Sequence, residues 1–314
     1  MGLSAYTLKR YWALVKKADD GRIALQKPTD GVGIVSDIAY IDDGNRAHLL
    51  DIYFPENADG NGVHNSESAA KKLPVIMDIH GGGWTYGEKY LNKYYCMYLA
   101  SKGFTVVNIN YRLAPETQID GQIRDILAAI EWIKDNIDKY NGDIGAFGMA
   151  GDSAGGHLAI LAAAVNSSDT LAKKYGVVRT GVSVKALGLT CSAFNIDLVF
   201  KLAWLPLGRY ILKILLGKEH KNSPFKNDMS IKDVVDFADL PPIYMVSGKE
   251  DFVHSHSASF SEAAKNAGID FVYHDWEKGK NGYKLTHVFN ILYPAYPESI
   301  ETNDEFLDFF VKHL

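Results

Sequence analysis

Residues 144–165 read IGAFGMAGDSAGGHLAILAAAV, and this stretch decides how the rest of the chain is interpreted. It begins with an apolar run of strand length, Ile144 to Ala150, and ends with an alanine-rich run of helical length, His157 to Val165. Between them the letters GDSAG match the pattern G-x-S-x-G, centred on Ser153. In this context the pattern predicts a sharp, strained turn that presents the serine oxygen at a helix N-terminus, where free amides favour negative charge.

Apolar runs of strand length continue on both sides of this stretch and alternate with helical patterns. Near-continuous apolar strands separated by helices are typical of a parallel sheet that is covered on both faces. Two β-rich runs near the start, 34–41 and 47–54, flank the turn residues 42–45 and predict an antiparallel hairpin. The remaining runs expected to form strands are 74–79, 104–109, 144–150, 184–190, 242–247 and 269–275. The prediction is an α/β fold with an eight-stranded, mostly parallel sheet and helices on both faces.

The helix expected before residue 144 shows its period clearly. Isoleucines at positions 119, 123, 126, 130, 133 and 137 step by four and three along one face, which we expect to pack on the sheet. The opposite face carries Arg124, Asp125, Glu131 and Lys134, and charged residues of this kind are mostly exposed to solvent. For Asp125 there is an alternative, as a buried partner of a backbone group.

Two segments do not fit the alternation of strands and helices. Residues 1–30 begin with basic and apolar residues at helical spacing, which predicts an amphipathic helix rather than a signal peptide. Residues 192–236 are more apolar than one helix face hides, and they follow a strand near the carboxyl edge of the sheet, where ligands bind in such folds. Although 314 residues are enough for two domains, we expect one domain over residues 1–314, with these two segments as a small helical cap.

The composition excludes several classes of protein. With 47% apolar and 23% charged residues, the chain buries too much surface to be disordered. Its 33 basic and 38 acidic residues give a net charge of −5 without any long basic run, which argues against a nucleic-acid partner. Cys96 and Cys191 are far apart and predict two free, buried thiols rather than a disulfide framework or a zinc site. The most apolar stretch, 198–216, is interrupted by charges and a proline, so we expect a soluble, cytoplasmic protein without stable membrane insertion.

A glycine-rich loop directly follows the apolar run 74–79. It reads HGGGW, from His80 to Trp84. Three adjacent glycines allow the backbone to turn its amides toward a ligand, and loops of this kind supply the donors of an oxyanion hole. The predicted donors are the amides of Gly82 and Gly83, together with that of Ala154, which follows the serine.

With these motifs the chain resembles the α/β-hydrolase carboxylesterases of the hormone-sensitive-lipase type, an acetyl-esterase-like group. The resemblance rests on His80 to Trp84, on Gly151 to Gly156 and on 111–116, which read YRLAPE, and it extends over most of the chain from about residue 34. The chain departs from the family at 117–120, which read TQID where members have a His-Pro-Phe-Pro stretch. The N-terminal cap segment is also short. The resemblance implies an α/β-hydrolase fold and hydrolysis of esters through a covalent acyl-enzyme.

A serine nucleophile needs a base, and the base needs an orienting carboxylate, which in this fold follow in the order Ser, acid, His. The acid is expected just past the run 242–247, where Glu250 and Asp251 are both present. The resemblance favours Asp251, because the family's acid stands three residues after such a glycine, and Glu250 is the alternative. His287 follows the last predicted strand and resembles the family's His-x-Phe segment.

The other histidines considered are expected to have structural or surface roles. His80 is expected to fix the oxyanion loop and His157 to pack within its helix. The remaining three are expected at the surface or in structural roles, because one lies within the last predicted strand and two lie before it in a predicted helix. Those two also lack the other ligands of a metal site. The three are His254, His256 and His274.

The expected activity is that of a serine carboxylesterase for short- to medium-chain acyl esters, with Ser153, His287 and Asp251 as the triad and no metal or cofactor. One alternative is a carbohydrate acetyl or feruloyl esterase, because Trp84 and Tyr86 begin an aromatic run that is suited to stacking on a ring. Others are a formamidase-like amide hydrolase and a non-catalytic ligand-binding protein on the same scaffold. The expected partner is a small-molecule ester, and a homodimer formed through the run 269–275 is possible.

Overall fold

The computed structural model describes residues 2–56, 72–195, 206–233, 240–280 and 282–314. Within these ranges eight strands form one sheet in the order β1-β2-β4-β3-β5-β6-β7-β8. The strands are β1 (Val32–Ala39), β2 (Leu49–Pro55), β3 (Leu73–Ile79), β4 (Thr105–Ile109), β5 (Gly142–Asp152), β6 (Leu187–Thr190), β7 (Ile243–Gly248) and β8 (Phe271–Trp276). The predicted eight-stranded sheet is therefore confirmed.

The sheet is antiparallel at one edge and parallel elsewhere. β1 pairs with β2 and β2 with β4 in antiparallel register, which confirms the predicted hairpin. From β4 through β3, β5, β6 and β7 to β8, every neighbouring pair is parallel. Parallel strands end at the same edge of a sheet, so the loops after β3, β5 and β7 lie together at the edge where ligands bind in open α/β folds.

Helices cover both faces of the sheet. They are α1 (Leu3–Ile23), α2 (Lys93–Ser101), α3 (Ile119–Asn136), α4 (Ala154–Ser167), α5 (Asp169–Tyr175), α6 (Pro206–Leu216), α7 (His254–Ala267), α8 (Phe289–Leu292) and α9 (Pro297–His313). Successive side chains of a strand point to opposite faces. Val75 and Met77 of β3 pack in a core with α3 and α4, whereas Ile76 between them packs in a second core with α2 and α9. The predicted isoleucine face of α3 is fully buried in the first core.

The connection between β1 and β2 is longer than the predicted tight turn. β2 begins at Leu49, because Arg46–His48 form a 3₁₀ turn before it. His48 is 3% exposed, and its Nδ1 lies 2.9 Å from Oδ2 of Asp43. The buried hydrogen bond of His48 thus holds residues 47 and 48 in the connection, although their alternating pattern predicts that they belong to the strand. β6 is also shorter than predicted and begins at Leu187.

Asp125 on α3 is buried, so the expectation that it lies on a solvated face is wrong. The residue is 1% exposed and accepts hydrogen bonds from the backbone amide of Arg112 at 2.9 Å and from the Arg112 guanidinium. The alternative, a buried partner of a backbone group, is the one observed. The loop after β4 packs against this part of α3, whereas Arg124 and Lys134 of the same helix remain 47% and 43% exposed.

The helices from the two expected cap segments pack against each other. α1 contacts α6, and Oγ of Ser4 donates a hydrogen bond to the carbonyl oxygen of Pro206 at 3.3 Å. Parts of the second segment, 196–205 and 234–239, lie outside the described residues. Among the helices that the structure describes, none is both long enough and apolar enough to cross a membrane.

Candidate active site

Ser153 lies in a strained turn between β5 and α4. Its backbone has φ 52° and ψ −118°, a conformation that residues with a side chain rarely adopt. The turn is tight, since a Cβ on Gly151 would lie 2.6 Å from the backbone of Gly155, and a Cβ on Gly155 would collide with the carbonyl oxygen of Ile79. The glycines of the motif are therefore required by close packing of strand, helix and loop, as the sequence pattern predicts.

Ser153, His287 and Asp251 form a continuous hydrogen-bonded chain. The side-chain hydroxyl of Ser153 lies 2.9 Å from Nε2 of His287, and Nδ1 of His287 lies 2.8 Å from Oδ1 of Asp251. A carboxylate accepts, so Nδ1 carries the proton and Nε2 is free to accept from the serine. The three residues come from the turn after β5, the segment before α8 and the turn after β7. Residues that are 134 and 36 positions apart in the chain are thus brought into contact.

Asp251 is the carboxylate that contacts His287, and Glu250 is not. Asp251 is 5% exposed and also accepts a hydrogen bond from the amide of Val253 at 3.0 Å. Burial acts to raise the pKa of Asp251, but the hydrogen bonds and charge of its partners, His287 foremost, outweigh it and hold the pKa below its ordinary value. Glu250 instead accepts from the amide of Leu285 at 2.8 Å. Of the two carboxylates that the sequence left open, the geometry favours Asp251.

Two of the three predicted oxyanion donors, the amides of Gly82 and Gly83, lie on a loop with an unusual backbone. Gly82 and Gly83 have φ of 123° and 57°, and Cβ on Gly82 would collide with the carbonyl oxygen of Tyr86. In the described part of the chain, neither their amides nor that of Ala154 donates to a protein acceptor. Three backbone donors at the sheet edge next to Ser153 are thus free for a ligand. The adjacent Trp84 fixes the loop, because its carbonyl oxygen accepts from the Gln122 side chain at 2.9 Å.

The rings of two buried histidines form hydrogen bonds at or next to this loop. Nδ1 of His80 donates to the carbonyl oxygen of Gly81 at 2.7 Å, and the ring stacks on Tyr111. His157 accepts from Nε1 of Trp84 at 3.3 Å and donates from Nε2 to the carbonyl oxygen of Asp228 at 3.0 Å. Burial lowers the pKa of both rings to about 4, so both are neutral at pH 7. The geometry agrees with the structural roles expected for them.

His254 and His274 form polar contacts outside the hydrogen-bonded chain of Ser153, His287 and Asp251. His254 on α7 contacts Oδ1 of Asp275 at 2.8 Å, and His274 on β8 contacts Oε2 of Glu305 at 2.6 Å. Both are partly exposed. His256 borders the cavity described below.

A pair of buried carboxylates beneath the glycine loop is not predicted by the motifs. Asp152, which occupies the first x of the G-x-S-x-G pattern, accepts a hydrogen bond from the amide of Gly81 at 2.9 Å. Asp78 at the end of β3 is joined to it through the side chain of Asn92. Asp152 is part of the G-x-S-x-G pattern, and this position could have indicated a carboxylate near the active site. No motif contains Asp78 or Asn92, so the sequence contains no signal for them.

An apolar cavity of about 790 Å³ opens onto Ser153. Its wall includes Gly82, Gly83, Ala154 and His287 from the sheet edge. The described part of the cap contributes Leu8, Tyr11, Trp12 and Val15 from α1 and Leu207 and Ile211 from α6. Further side chains of the wall follow from the loops, among them Phe252, Val288, Ile291 and Leu292. Its size and apolar lining suit a small organic ligand.

One group of potential metal ligands is present near the same position. Cys191, Asp251 and His287 each place one ligand-type atom within 4.8 Å of the others. Burial raises the pKa of the Cys191 thiol well above its ordinary value, and a protonated thiol is a poor ligand. His287 and Asp251 already share a proton through their hydrogen bond. This donor set therefore does not fit a divalent cation.

The chain was compared with known proteins. The family model BD-FAE matches residues 50–264. Among solved structures, esterase B from Lactobacillus rhamnosis inhibited by a C4-C4 SN3 tributyrin phosphonate is 29% identical, with a TM-score of 0.86 over 98% of this chain and 94% of that chain.

Two of the curated relatives are a bacterial and a plant esterase. Esterase LipQ of Mycobacterium tuberculosis is 28% identical over 74% of this chain and 53% of its own length. Isoprenylcysteine alpha-carbonyl methylesterase ICME of Arabidopsis thaliana is 28% identical over 70% of this chain and 50% of its own length. The chain thus spans about half the length of these curated relatives. The predicted resemblance to α/β-hydrolase carboxylesterases is confirmed, and the match over residues 50–264 shows that this chain belongs to the BD-FAE family.

Proposed function

We propose that this protein is a serine carboxylesterase that hydrolyses short- to medium-chain acyl esters. The observation that carries the proposal is the hydrogen-bonded chain from Ser153 through His287 to Asp251. Its serine and histidine line one apolar cavity together with the three residues whose backbone amides are free. A nucleophile, its base, an orienting acid and oxyanion donors are the parts that acyl transfer requires. The esterases among the relatives support the same reaction class.

In the first half-reaction, Oγ of Ser153 attacks the ester carbonyl carbon while its proton passes to Nε2 of His287. The carbonyl π electrons move to the oxygen, and the amides of Gly82, Gly83 and Ala154 bind the resulting oxyanion. Asp251 orients the ring and stabilises the imidazolium without taking its proton. The intermediate collapses when the bond to the alcohol oxygen breaks and Nε2 donates its proton to the leaving group. The acyl group then remains on Ser153.

In the second half-reaction, water takes the place of the alcohol. His287 accepts a proton from the water as it attacks the acyl carbon, and the same amides bind the second oxyanion. Collapse of this intermediate breaks the bond to Ser153, which recovers its proton from His287, and the carboxylic acid leaves. Loss of one backbone donor would raise the barrier by roughly 3 to 4 kcal/mol, so the shape of the glycine loop matters as much as the triad.

The cavity supports the short- to medium-chain range of acyl groups. Leucine, isoleucine, valine and aromatic side chains make up nearly half of the residues in the wall, and they offer an apolar surface to an alkyl chain. The phosphonate bound to the related esterase B is a tributyrin derivative. Both observations support a short- to medium-chain acyl group.

Steady-state kinetics with p-nitrophenyl butyrate test the assignment. Ser153→Ala and His287→Ala are expected to lower kcat by at least about 10⁴-fold, because the nucleophile and base act as a unit. Asp251→Asn should cost about 10⁴-fold, because an amide favours the wrong tautomer of His287, whereas Glu250→Gln should cost far less. Ser167→Ala and His274→Ala are matched controls outside the site. Full activity of Ser153→Ala would overturn the proposal.

A parallel assay with N-formyl amides separates the formamidase-like alternative. The proposal predicts a higher kcat/KM on acyl esters than on amides of similar size. Negligible turnover of every ester, with clear turnover of the amides, would assign the same residues to amide hydrolysis. Absence of any turnover, together with tight binding of an ester, would favour the non-catalytic alternative.

A further inference from the structure

Three buried polar side chains meet next to the glycine loop, and two of them also border the cavity. Asp78 comes from the end of β3, Asn92 from the 3₁₀ turn Lys89–Asn92, and Asp152 from the end of β5. They are 1%, 3% and 6% exposed. Burying a carboxyl group lowers the stability of the fold unless the group is hydrogen-bonded. The hydrogen bonds within this cluster therefore matter for both the fold and the loop.

A single amide group joins the two carboxyl groups. Nδ2 of Asn92 donates to Oδ2 of Asp78 at 2.9 Å and to Oδ1 of Asp152 at 2.8 Å. The same Oδ1 accepts from the backbone amide of Gly81 at 2.9 Å. The cluster is therefore connected directly to the first glycine of the loop.

The contact between Asp152 and the loop is tight. A Cβ on Gly81 would collide with Oδ2 of Asp152, so the backbone of the loop is packed on this carboxylate. Gly81 immediately precedes Gly82, whose amide is a proposed oxyanion donor. A shift of the Asp152 side chain therefore moves the start of the segment that carries the donors.

Burial raises the pKa of both acids in this cluster, and Asp78 keeps its proton at neutral pH. Burial, followed by the charge of Asp152, raises the pKa of Asp78 to about 8. Oδ1 of Asp78 has no hydrogen-bond partner among the described residues. The other titratable groups that face Asp78 are Cys96 and Tyr95 on α2 and Tyr111 after β4, and burial raises the pKa of each well above its ordinary value. Near pH 8 the carboxyl of Asp78 is thus the member of this group that changes its charge.

We propose that Asp78 and Asn92 are positioning residues, which hold Asp152 and through it the amide of Gly81 in the place that oxyanion binding requires. The contacts of Asn92 are favourable while Asp78 is protonated, because Asn92 then does not join two carboxylates of like charge. When Asp78 ionises, two like charges share one buried amide, and the repulsion loosens the anchor of the loop. This inference rests on the proposed esterase function.

The test compares the kinetics of three variants over pH 6 to pH 9.5. Asn92→Leu is expected to lower kcat by roughly 10- to 100-fold with little change in KM, because misplacing a donor costs somewhat less than losing it. Asp78→Leu should behave in the same way. Asp78→Asn resembles the protonated acid and should recover most of the activity that Asp78→Leu loses. It should also lack the fall in kcat that the wild type shows above about pH 8.

Two controls keep the result interpretable. Asp304→Asn and Asn136→Leu change the same residue types in partly exposed positions and should keep the wild-type pH profile. Circular dichroism at each pH shows whether a variant is folded. An infrared difference spectrum between pH 7 and pH 9.5 should lose one protonated carboxyl band in the wild type and none in Asp78→Asn, whatever reaction the protein catalyses.

The outcomes separate this inference from the proposed function. An alkaline fall in kcat that persists in Asp78→Asn, or an Asn92→Leu variant with wild-type kcat, would overturn the positioning role. Titration of Ser153 with an organophosphonate tests the esterase site independently. If the wild type takes up no phosphonate and hydrolyses no ester, the proposed function fails. The infrared spectrum would still show whether Asp78 is protonated at pH 7.

Discussion

The buried, neutral rings of His80 and His157 make the folding stability of the protein depend on pH. Both are fully enclosed, and each uses one nitrogen as a donor to a backbone carbonyl oxygen. Because burial lowers the pKa of each ring to about 4, the folded protein binds these protons only at low pH. The unfolded chain binds them at the ordinary pKa of 6.5. Their contribution to stability is therefore fully present above about pH 6.5 and is lost as the pH falls toward 4.

Replacing His157 tests this linkage. Wild-type protein should lose about 3 kcal/mol of unfolding free energy through this one ring between pH 6.5 and pH 4, and His157→Gln should lack that part of the loss. Urea denaturation at pH 7 and pH 4.5 measures the difference. His254→Gln, at a partly exposed ring beside Asp275, is the control. Equal acid sensitivity of wild type and His157→Gln would contradict the linkage.

Among single residues, the sequence predicted the catalytic side chains better than the buried side chains that hold them in place. Ser153, His287 and the glycine loop were identified because a motif places each next to a particular strand. Asp78 and Asn92 were not, since their roles depend on the side-by-side packing of β3 and β5, which no local pattern contains. Asp125 was assigned to the wrong environment for the same reason, because its partner Arg112 lies on a loop and not on its own helix.

At the scale of elements, α1 is attached to the glycine loop by aromatic contacts. Nε1 of Trp12 donates to Oγ1 of Thr85 at 2.9 Å, 73 residues along the chain, and its ring stacks on Tyr86 with centroids 4.7 Å apart. The hydroxyl of Tyr86 in turn donates to Asp19 at 2.8 Å. Helical spacing predicted this helix, but contacts over such a distance in sequence follow only from the fold. The wall of the cavity is thus shared between the cap helices and the sheet edge.

Filling the cavity from α6 should change the length of acyl chain that is accepted. Ile211 lines the cavity, and Ile211→Trp reduces the space for an alkyl chain. We expect kcat/KM to fall more for p-nitrophenyl octanoate than for the acetate, because each methylene excluded from an apolar site costs about 0.8 kcal/mol, or roughly fourfold. A chain-length series from acetate to octanoate measures this.

Val311→Trp is the control for the chain-length series. Val311 is 68% exposed on α9, and it is absent from the wall of the cavity. The control should leave the profile of kcat/KM against chain length unchanged. If Ile211→Trp lowers activity on all chain lengths by the same factor, α6 does not set the acyl limit.

At the scale of the molecule, the sheet was predictable because its central strands are apolar on both faces. The six runs from residue 74 onward each correspond to a strand, and their helices cover both sides. The strand order was not predicted, because periodicity says nothing about which strands pair, and neighbours such as β3 and β5 are separated by β4 in the chain. Strand ends were the least predictable feature, because polar anchors such as His48 decide where pairing stops. Whether the edge strand β8 pairs with a second copy stays a prediction.

The central claim is that Ser153 carries the acyl group during turnover. Wild-type protein mixed rapidly with p-nitrophenyl butyrate, quenched in acid and digested should yield one butyrylated peptide, and fragmentation should locate the butyryl group on Ser153. His287→Ala should show no such peptide, because the serine is then not deprotonated. A wild-type protein that hydrolyses the ester while Ser153 stays unmodified, or that carries the butyryl group on another residue, would contradict the account.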